Sequence, residues 1–168
     1  MPAKRAYMTL LVVGSALLVG CTSSDAPPTE AGNGHAATNG ADAASPEAQW
    51  ADHTHGLPFV IGYEEGLSQV ASTQKPAMLF VTTTWCGWCK RLAADSFDDP
   101  QVRELLDKFV LVIVDGDSEQ AAVAKYGVEG FPHVIFESPS GEKLGECVGY
   151  VPADKFRTIV EGALNKTG

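Results

Sequence analysis

Two cysteines separated by two residues, Cys86 and Cys89, are the side chains of this sequence best suited to chemistry. They follow an apolar run over residues 77–81 and open a segment that is predicted to be helical. At the N-terminus of a helix, unpaired backbone N–H groups and the helix dipole favour a thiolate over a thiol. The second sulfur then lies one turn further on, close enough to form a disulfide with the first. The spacing indicates thiol–disulfide exchange, although zinc sites use the same spacing.

The N-terminus has the pattern of an export signal. Lys4 and Arg5 precede an apolar stretch over residues 8–19, which is too short for a usual membrane span. The stretch ends in Leu-Val-Gly-Cys at residues 18–21, which resembles the lipobox of bacterial lipoproteins. That resemblance implies removal of residues 1–20 as a lipoprotein signal peptide and attachment of lipid to Cys21. An ordinary secretory signal and an uncleaved anchor are the alternatives.

The segment after the signal is predicted to be a tether. Residues 21–49 comprise the lipidated Cys21 and a stretch rich in Ala, Gly, Ser, Thr and Pro, with almost no large apolar side chains. Such a stretch cannot offset the entropy of ordering by burial, so we expect disorder. A folded domain is expected over residues 50–168, lipid-anchored in the cell envelope and facing the periplasm or another extracytoplasmic side. Disulfides persist in such compartments.

The charge of the chain excludes one class of partner. Lys4 and Arg5 account for two of the 12 basic residues, so the processed chain carries 10 basic and 21 acidic residues, a formal charge of −11. A chain this acidic is not expected to bind nucleic acid.

The remaining sequence alternates between strand and helix patterns, which predicts an α/β fold with a central mixed β-sheet flanked by helices. Predicted strands cover residues 57–61, 77–83, 110–114, 133–137 and 143–148. Predicted helices cover residues 63–74, a segment through the cysteines to Ala94, a segment capped by Asp99 and Pro100, a segment from Ser118 to Tyr126, and one from Pro152 onward. Residues 96–98 are a predicted break.

This element order, together with the Cys pair and the downstream segment 128–132, resembles thioredoxin over about residues 57–165. Residues 75–79 and 96–102 are similar to a subgroup, the exported thioredoxin-like lipoproteins and the periplasmic C-terminal domain of the transmembrane thiol:disulfide interchange reductase. The resemblance implies that Cys86 is the attacking thiolate and that the more buried Cys89 resolves the mixed disulfide. It also implies that Trp85 covers the pair, and that Pro132 is cis and turns the backbone of Phe131 toward the substrate.

The sequence departs from this family where a base is expected. Thioredoxins carry a buried Asp six residues before the first Cys, where this chain has Phe80, and the reductase subgroup often has an acid where this chain has Ala93. Because burial raises the pKa of a thiol, deprotonation of Cys89 is expected to be slow without a base. Asp95, Asp115 or a water are the open substitutes.

Several other residues have two readings each. Between the cysteines lie Gly87 and Trp88, and Trp88 either widens an apolar docking surface or packs beside the helix. Asp52, His53 and His55 are expected to belong to an exposed polar segment at the start of the domain, and a metal-binding arm is the less favoured alternative. His133 is a hydrogen-bonded strand histidine in preference to a cation beside Cys86. Cys147 is a half-buried inert thiol in preference to a redox partner.

The predicted function is a membrane-tethered, monomeric thiol:disulfide oxidoreductase that uses no cofactor or metal. Its expected partners are exported proteins with disulfides or thiols and a membrane electron donor. The reducing direction is favoured because Gly87 and Trp88 provide no His to stabilise the reduced pair. The alternatives are a copper- or zinc-handling lipoprotein that uses the same cysteines, and a redox-inert docking module. Lys90 excludes haem attachment, which requires His at that position.

Overall fold

The computed structural model describes residues 45–167. The predicted signal peptide, Cys21 and most of the predicted tether lie outside the described residues. Within residues 45–167, no helix is both long enough and apolar enough to cross a membrane. The elements in chain order are α1 (Pro46–Gln49), α2 (Ala51–Thr54), β1 (Val60–Ile61), α3 (Tyr63–Thr73), β2 (Ala77–Thr82), α4 (Gly87–Leu92), a π-helical segment (Ala93–Phe97), α5 (Pro100–Leu106), β3 (Val110–Asp115), α6 (Gln120–Tyr126), β4 (His133–Glu137), β5 (Lys143–Val148) and α7 (Ala153–Leu164).

The strands form one five-stranded mixed sheet in the order β1-β3-β2-β4-β5. β1 and β2 run parallel to β3, whereas β4 is antiparallel to β2 and to β5. Every residue of β2 is buried, and so are residues 110–114 of β3. Strands covered on both faces read as continuous apolar runs, which is why residues 77–81 lack alternation. The predicted α/β fold with a central mixed sheet is confirmed.

Helices cover both faces of the sheet and create two apolar layers. Successive strand residues point to opposite faces, so Phe80 joins one layer and its neighbours Leu79 and Val81 join the other. The layer of Phe80 also contains Cys86 and Cys89 together with residues of α5 and α7. We call it the cysteine layer.

Three predicted boundaries were wrong. The predicted break at residues 96–98 is a π-helical segment through Phe97, held because the Ser96 hydroxyl donates to the Val151 carbonyl at 2.7 Å and the Phe97 ring is fully buried. Ser118 does not cap α6, since its hydroxyl donates to Asp115 at 2.7 Å and the helix begins after Glu119. The first strand is also shorter than predicted, with only two residues.

The cap of α5 is as predicted. The Asp99 side chain accepts the N–H groups of Gln101 and Val102, and Pro100 occupies the first helical turn. Pro fits there because its missing N–H would have no helical partner.

Two helical glycines give a test of how tightly α3 packs on the sheet. A Cβ on Gly66 in α3 would overlap the side chain of Val112 in β3, whereas a Cβ on Gly162 in α7 would meet nothing within 4 Å. We expect Gly66→Ala to lower the free energy of unfolding by about 1–3 kcal/mol through overpacking. Gly162→Ala should raise it by about 0.5–1 kcal/mol, because Ala loses less entropy in a helix. Denaturant unfolding of both variants measures this difference, and equal effects would contradict it.

Candidate active site

The cysteine pair lies at the junction between β2 and α4. Cys86 is the N-cap of α4, and its sulfur accepts the backbone N–H of Cys89 at 3.1 Å. The Cys86 N–H donates in turn to the Thr83 carbonyl at 3.0 Å. The two cysteines form a disulfide with their Cα atoms 5.3 Å apart. Cys89 is fully buried and Cys86 is 5 % exposed, so the residue predicted to attack is the more exposed of the two.

An open groove of about 450 Å³ runs past Cys86. Its lining residues are Trp85, Cys86, Gly87, Trp88, Glu129, Gly130 and Phe131. The two tryptophans are 69 % and 59 % exposed, which is unusual for side chains this large. The Trp85 ring packs edge-on against Phe131 at 6.2 Å, and its indole N–H donates to Asp117 at 2.8 Å. Trp85 therefore forms a wall of the groove beside the pair.

Trp88 extends this apolar surface on the other side of the helix end. It lines a second cavity together with Phe131, Gly149 and Tyr150, and its ring lies 6.0 Å from that of Tyr150. The Arg91 guanidinium lies over both rings, at 5.7 Å and 5.2 Å. This exposure of Trp88 favours the prediction that it widens an apolar docking surface over the alternative that it only packs beside the helix.

The loop before β4 forms part of the lining of the groove. The Phe131–Pro132 peptide bond is cis, as the resemblance implied, and the Pro132 carbonyl accepts the Gly149 N–H at 2.7 Å. The Phe131 ring lies against Gly116, where any side chain would overlap it. No pattern in the sequence predicts the roles of Gly116 and Tyr150, because these roles depend on contacts between segments that are distant in the chain.

Comparison with known proteins identifies the family of this chain. Residues 63–164 match the family model described as a thioredoxin-like domain. The chain belongs to this family. Its structure is similar to that of a thioredoxin from Thermus thermophilus, with a TM-score of 0.60 and 26 % identity over 66 % of this chain and 90 % of that one.

Two further proteins are similar to this chain. The chain is 33 % identical over 94 residues to the rice (Oryza sativa subsp. japonica) thioredoxin-like protein HCF164, chloroplastic, which is 56 % of this chain and 34 % of that protein. It is similar in structure to the reduced C-terminal domain of DsbD from Neisseria meningitidis, with a TM-score of 0.51 and 25 % identity over 61 % of this chain and 97 % of that domain. The chain therefore spans about a third of the length of the rice protein.

The expected position of a buried base is apolar in this thioredoxin-like domain. Phe80 and Ala93 are both fully buried in the cysteine layer. Asp95 is exposed, and hydrogen bonds from Tyr150 at 2.8 Å and then from Arg91 hold its pKa below the usual value. The Asp115 carboxylate accepts the Ser118 hydroxyl and the Asp117 N–H. Both acids that could substitute for the base are thus engaged with other groups.

The prediction of an exposed polar segment was wrong for His53. The side chain is only 1 % exposed, because α2 packs against α4 and the π-helical segment and turns the imidazole inward. Its Nε2 lies 3.1 Å from the Thr83 carbonyl oxygen. Burial, and then the charge of Lys90, lower the pKa of His53 below its usual value. The neighbouring Asp52 remains exposed and pairs with Lys90 at 3.1 Å.

The metal-binding reading finds no further support. In the described part of the chain, no group of three or more His, Cys, Asp or Glu side chains could hold a metal ion. Thiol–disulfide exchange itself passes electrons through the two sulfurs and requires no cofactor.

His133 and Cys147 are both buried side chains of the sheet. His133 is buried and its Nε2 lies 3.0 Å from Glu146, which confirms the reading as a hydrogen-bonded strand histidine. Its neighbour Val134 faces the cysteine layer, so His133 faces away from the sulfurs. Cys147 is a free cysteine, 7 % exposed and more deeply buried than predicted. Burial raises its pKa to about 12.

We expect Cys147 to remain unmodified in the folded, reduced protein. With a pKa of about 12, only about one Cys147 in 10⁴ is a thiolate at pH 8, and the thiolate is the reactive form. Iodoacetamide at pH 8 should therefore label Cys86 quickly and Cys147 only after denaturation, as measured by mass spectrometry of the peptides. Equal labelling of the two residues in the native protein would contradict this prediction.

Proposed function

We propose that this protein is a membrane-tethered thiol:disulfide oxidoreductase that reduces disulfides in exported proteins. The observation that carries the proposal is the Cys86–Cys89 disulfide at the first turn of α4, beside an open apolar groove. A thiolate at Cys86 would keep the N–H of Cys89 as a hydrogen-bond donor, and hydrogen bonds to a charged form favour that form.

The exchange needs only the two sulfurs. The Cys86 thiolate attacks one sulfur of the target disulfide, the target S–S bond breaks, and the other target sulfur leaves as a thiolate that takes up a proton. Cys89 then loses its proton and attacks the Cys86 sulfur, which releases the second target thiol. Two electrons pass to the target, and the pair ends as the Cys86–Cys89 disulfide.

The groove suits an extended polypeptide segment as substrate. Trp85, Trp88 and Phe131 offer large apolar surfaces on both sides of Cys86, and aromatic side chains dominate binding energetics at interfaces. Gly87 leaves space at the helix end, since a Cβ there would meet nothing within 4 Å. Backbone groups of Phe131 beside the cis Pro132 are the proposed contact to the substrate main chain.

The reducing direction and the electron donor rest on the surroundings of the pair and on the relatives. Strong oxidants of this chemistry have a stabilised reduced form of their cysteine pair. Neither Gly87 nor Trp88 offers a cation that would stabilise the reduced Cys86–Cys89 pair in this way. The full-length Neisseria relative, of which this chain matches 14 %, is named thiol:disulfide interchange protein DsbD. A membrane electron donor that reduces the Cys86–Cys89 disulfide after each turnover is therefore part of the proposal.

The proposed location is the extracytoplasmic face of a membrane. Lipid on Cys21 would anchor the chain, because each buried CH₂ of an acyl chain contributes about 0.8 kcal/mol. The 23 residues from 22 to 44, which precede α1 and its cap Ser45, would allow a reach on the order of 25 Å if flexible. A monomeric domain on such a tether can meet many substrates near the membrane.

Replacement of Cys89 by Ala should trap substrates. The first attack by Cys86 would proceed, but without a resolving thiol the mixed disulfide would persist. Non-reducing gels and mass spectrometry of the variant from its own compartment should show adducts on Cys86. The Cys86→Ala/Cys89→Ala variant should show none, and the Cys89→Ala/Cys147→Ala variant should show the same set. The absence of adducts from Cys89→Ala, or their retention in the Cys86→Ala/Cys89→Ala variant, would refute exchange.

Replacement of Cys21 by Ser should release the protein from the membrane. A serine cannot carry the thioether-linked lipid, and the rest of the lipobox would be unchanged. We expect wild-type protein in the membrane fraction and the variant in the soluble fraction after cell lysis, with Cys147→Ser as a matched control that stays with the membrane. A Cys21→Ser variant that sediments with the membrane as wild type does, although mass spectrometry shows that residues 1–20 have been removed from it, would exclude the lipid anchor.

A further inference from the structure

Resolution of the mixed disulfide requires a base, and one buried histidine that the proposed function does not use, His53, packs against residues of the cysteine layer. Cys89 is fully buried, and burial raises the pKa of a thiol. In the described part of the chain, the buried titratable groups besides the cysteines are His53, Tyr63, His133 and Glu137. Tyr63 belongs to the layer on the opposite face of the sheet. His133 faces the opposite side of the sheet, and Glu137 accepts a hydrogen bond from Tyr126 at 2.9 Å. His53 is the one on the side of the cysteines.

His53 is connected to the reactive turn by a shared acceptor. The Thr83 carbonyl oxygen lies 3.0 Å from the Cys86 backbone nitrogen and 3.1 Å from His53 Nε2. The imidazole also packs edge-on against Trp50 at 5.1 Å and lies 6.4 Å from the ring of Phe80. Both Trp50 and Phe80 belong to the cysteine layer. The imidazole thus extends from α2 to the turn that carries Cys86.

The shared acceptor also fixes the tautomer of the imidazole. A carbonyl oxygen can only accept, so Nε2 must carry the hydrogen, and in a neutral ring Nδ1 then carries the free lone pair. Nδ1 is buried and has no hydrogen-bond partner among the described residues. The ring is held neutral by burial and by the nearby charge of Lys90, which lower its pKa. A neutral, buried imidazole with an unused lone pair is a proton acceptor.

We propose that His53, supplied by the N-terminal helix α2, is the base that accepts the proton of Cys89 during resolution. In this step the Cys89 S–H bond breaks and its proton reaches His53 Nδ1 by way of a water, because Nδ1 has no hydrogen-bond partner among the described residues of the oxidised protein and so is not in direct contact with the Cys89 sulfur. The Cys89 thiolate then forms a bond to the Cys86 sulfur, and the bond between Cys86 and the substrate sulfur breaks. The substrate leaves as a thiolate and takes up a proton from water, and the imidazolium later returns its own proton to water. This proposal rests on the proposed function.

The charged groups around His53 are few. α4 contributes Lys90 and α2 contributes Asp52, and these two form an ion pair with each other. Asp95 is the titratable group of the π-helical segment and is bound to Tyr150 and Arg91. Glu47 of α1 is exposed. The pH dependence of the resolving step should therefore report the protonation of His53 and of the two thiols.

The test separates attack from resolution with a small disulfide, 5,5′-dithiobis(2-nitrobenzoate). The full chain carries Cys21→Ser throughout, so that Cys21 does not react. The first chromophore release reports attack by Cys86 and depends on reagent concentration, whereas the second reports resolution by Cys89 and does not. Stopped-flow absorbance gives both rate constants between pH 5 and pH 9.

Three variants are compared with this protein. His53→Gln keeps an N–H that can donate to the Thr83 carbonyl but removes the base. His53→Phe removes both and retains ring packing against Trp50 and Phe80. His133→Gln is the matched control, since it alters a buried histidine on the opposite face of the sheet. Thermal unfolding of each variant shows whether it is folded.

We expect both His53 variants to slow the second release at pH 7 by roughly 10-fold to 100-fold, the effect of losing a general base. The first release should change little, and His133→Gln should match the parent protein in both phases. In the parent protein, the second rate constant should fall at acidic pH below the usual histidine value of 6.5, where His53 becomes protonated. This inflection should be absent from His53→Gln, and it can be measured without any variant.

Three results would overturn the role of His53. One is a second release in His53→Gln as fast as in the parent protein, which would leave His53 a structural hydrogen-bond donor. Another is equal slowing of both releases, which would mean that the variants disturb the cysteine turn. The third is a parent profile without the acidic inflection. If the parent protein gives no second release at all, the proposed exchange itself fails, and not merely the assignment of its base.

Discussion

The hydrogen bond from the Cys89 N–H to the Cys86 sulfur is the interaction on which the site depends. It places a sulfur where Ser, Asp or Asn usually caps a helix, and so aims backbone donors at an atom that becomes an anion when the disulfide is reduced. The bond is already present in the oxidised protein. The Thr83 carbonyl holds the other side of Cys86 through its N–H. The surroundings that a thiolate needs are thus built before the thiolate forms.

The rest of the fold keeps this turn in place from both ends. On one side, β2 is buried along its length and paired with β3 and β4, so Thr82 has little freedom to move. On the other side, the helix continues from α4 into the π-helical segment. Phe97, at the end of that segment, is fully buried between the rings of Phe80 and Phe156, at 5.1 Å and 5.3 Å. Movement of the helix end would therefore require repacking of the core.

The fold and the cysteine pair could be predicted from the sequence because their signals are local. The apolar run at residues 77–81 and the Asp99–Pro100 cap depend on neighbouring residues alone, and the structure has both where they were expected. His53 could not be predicted, because a polar side chain in a polar stretch is buried only if its helix docks on a distant one. The contacts of Tyr150 with Trp88 and Asp95 likewise join segments that are more than 50 residues apart.

The charges near the pair indicate where stabilisation of a thiolate comes from. The chain has a net charge of −9, yet two cations, Lys90 and Arg91, directly follow Cys89. Each is paired with a carboxylate, Lys90 with Asp52 and Arg91 with Asp95. Exposed ion pairs contribute little and are weakened by salt, so these cations add only a modest field at Cys86. Fixed backbone dipoles at the helix end lie next to the sulfur and are less affected by salt. The backbone of α4, more than its basic side chains, is therefore the main source of stabilisation for a thiolate at Cys86.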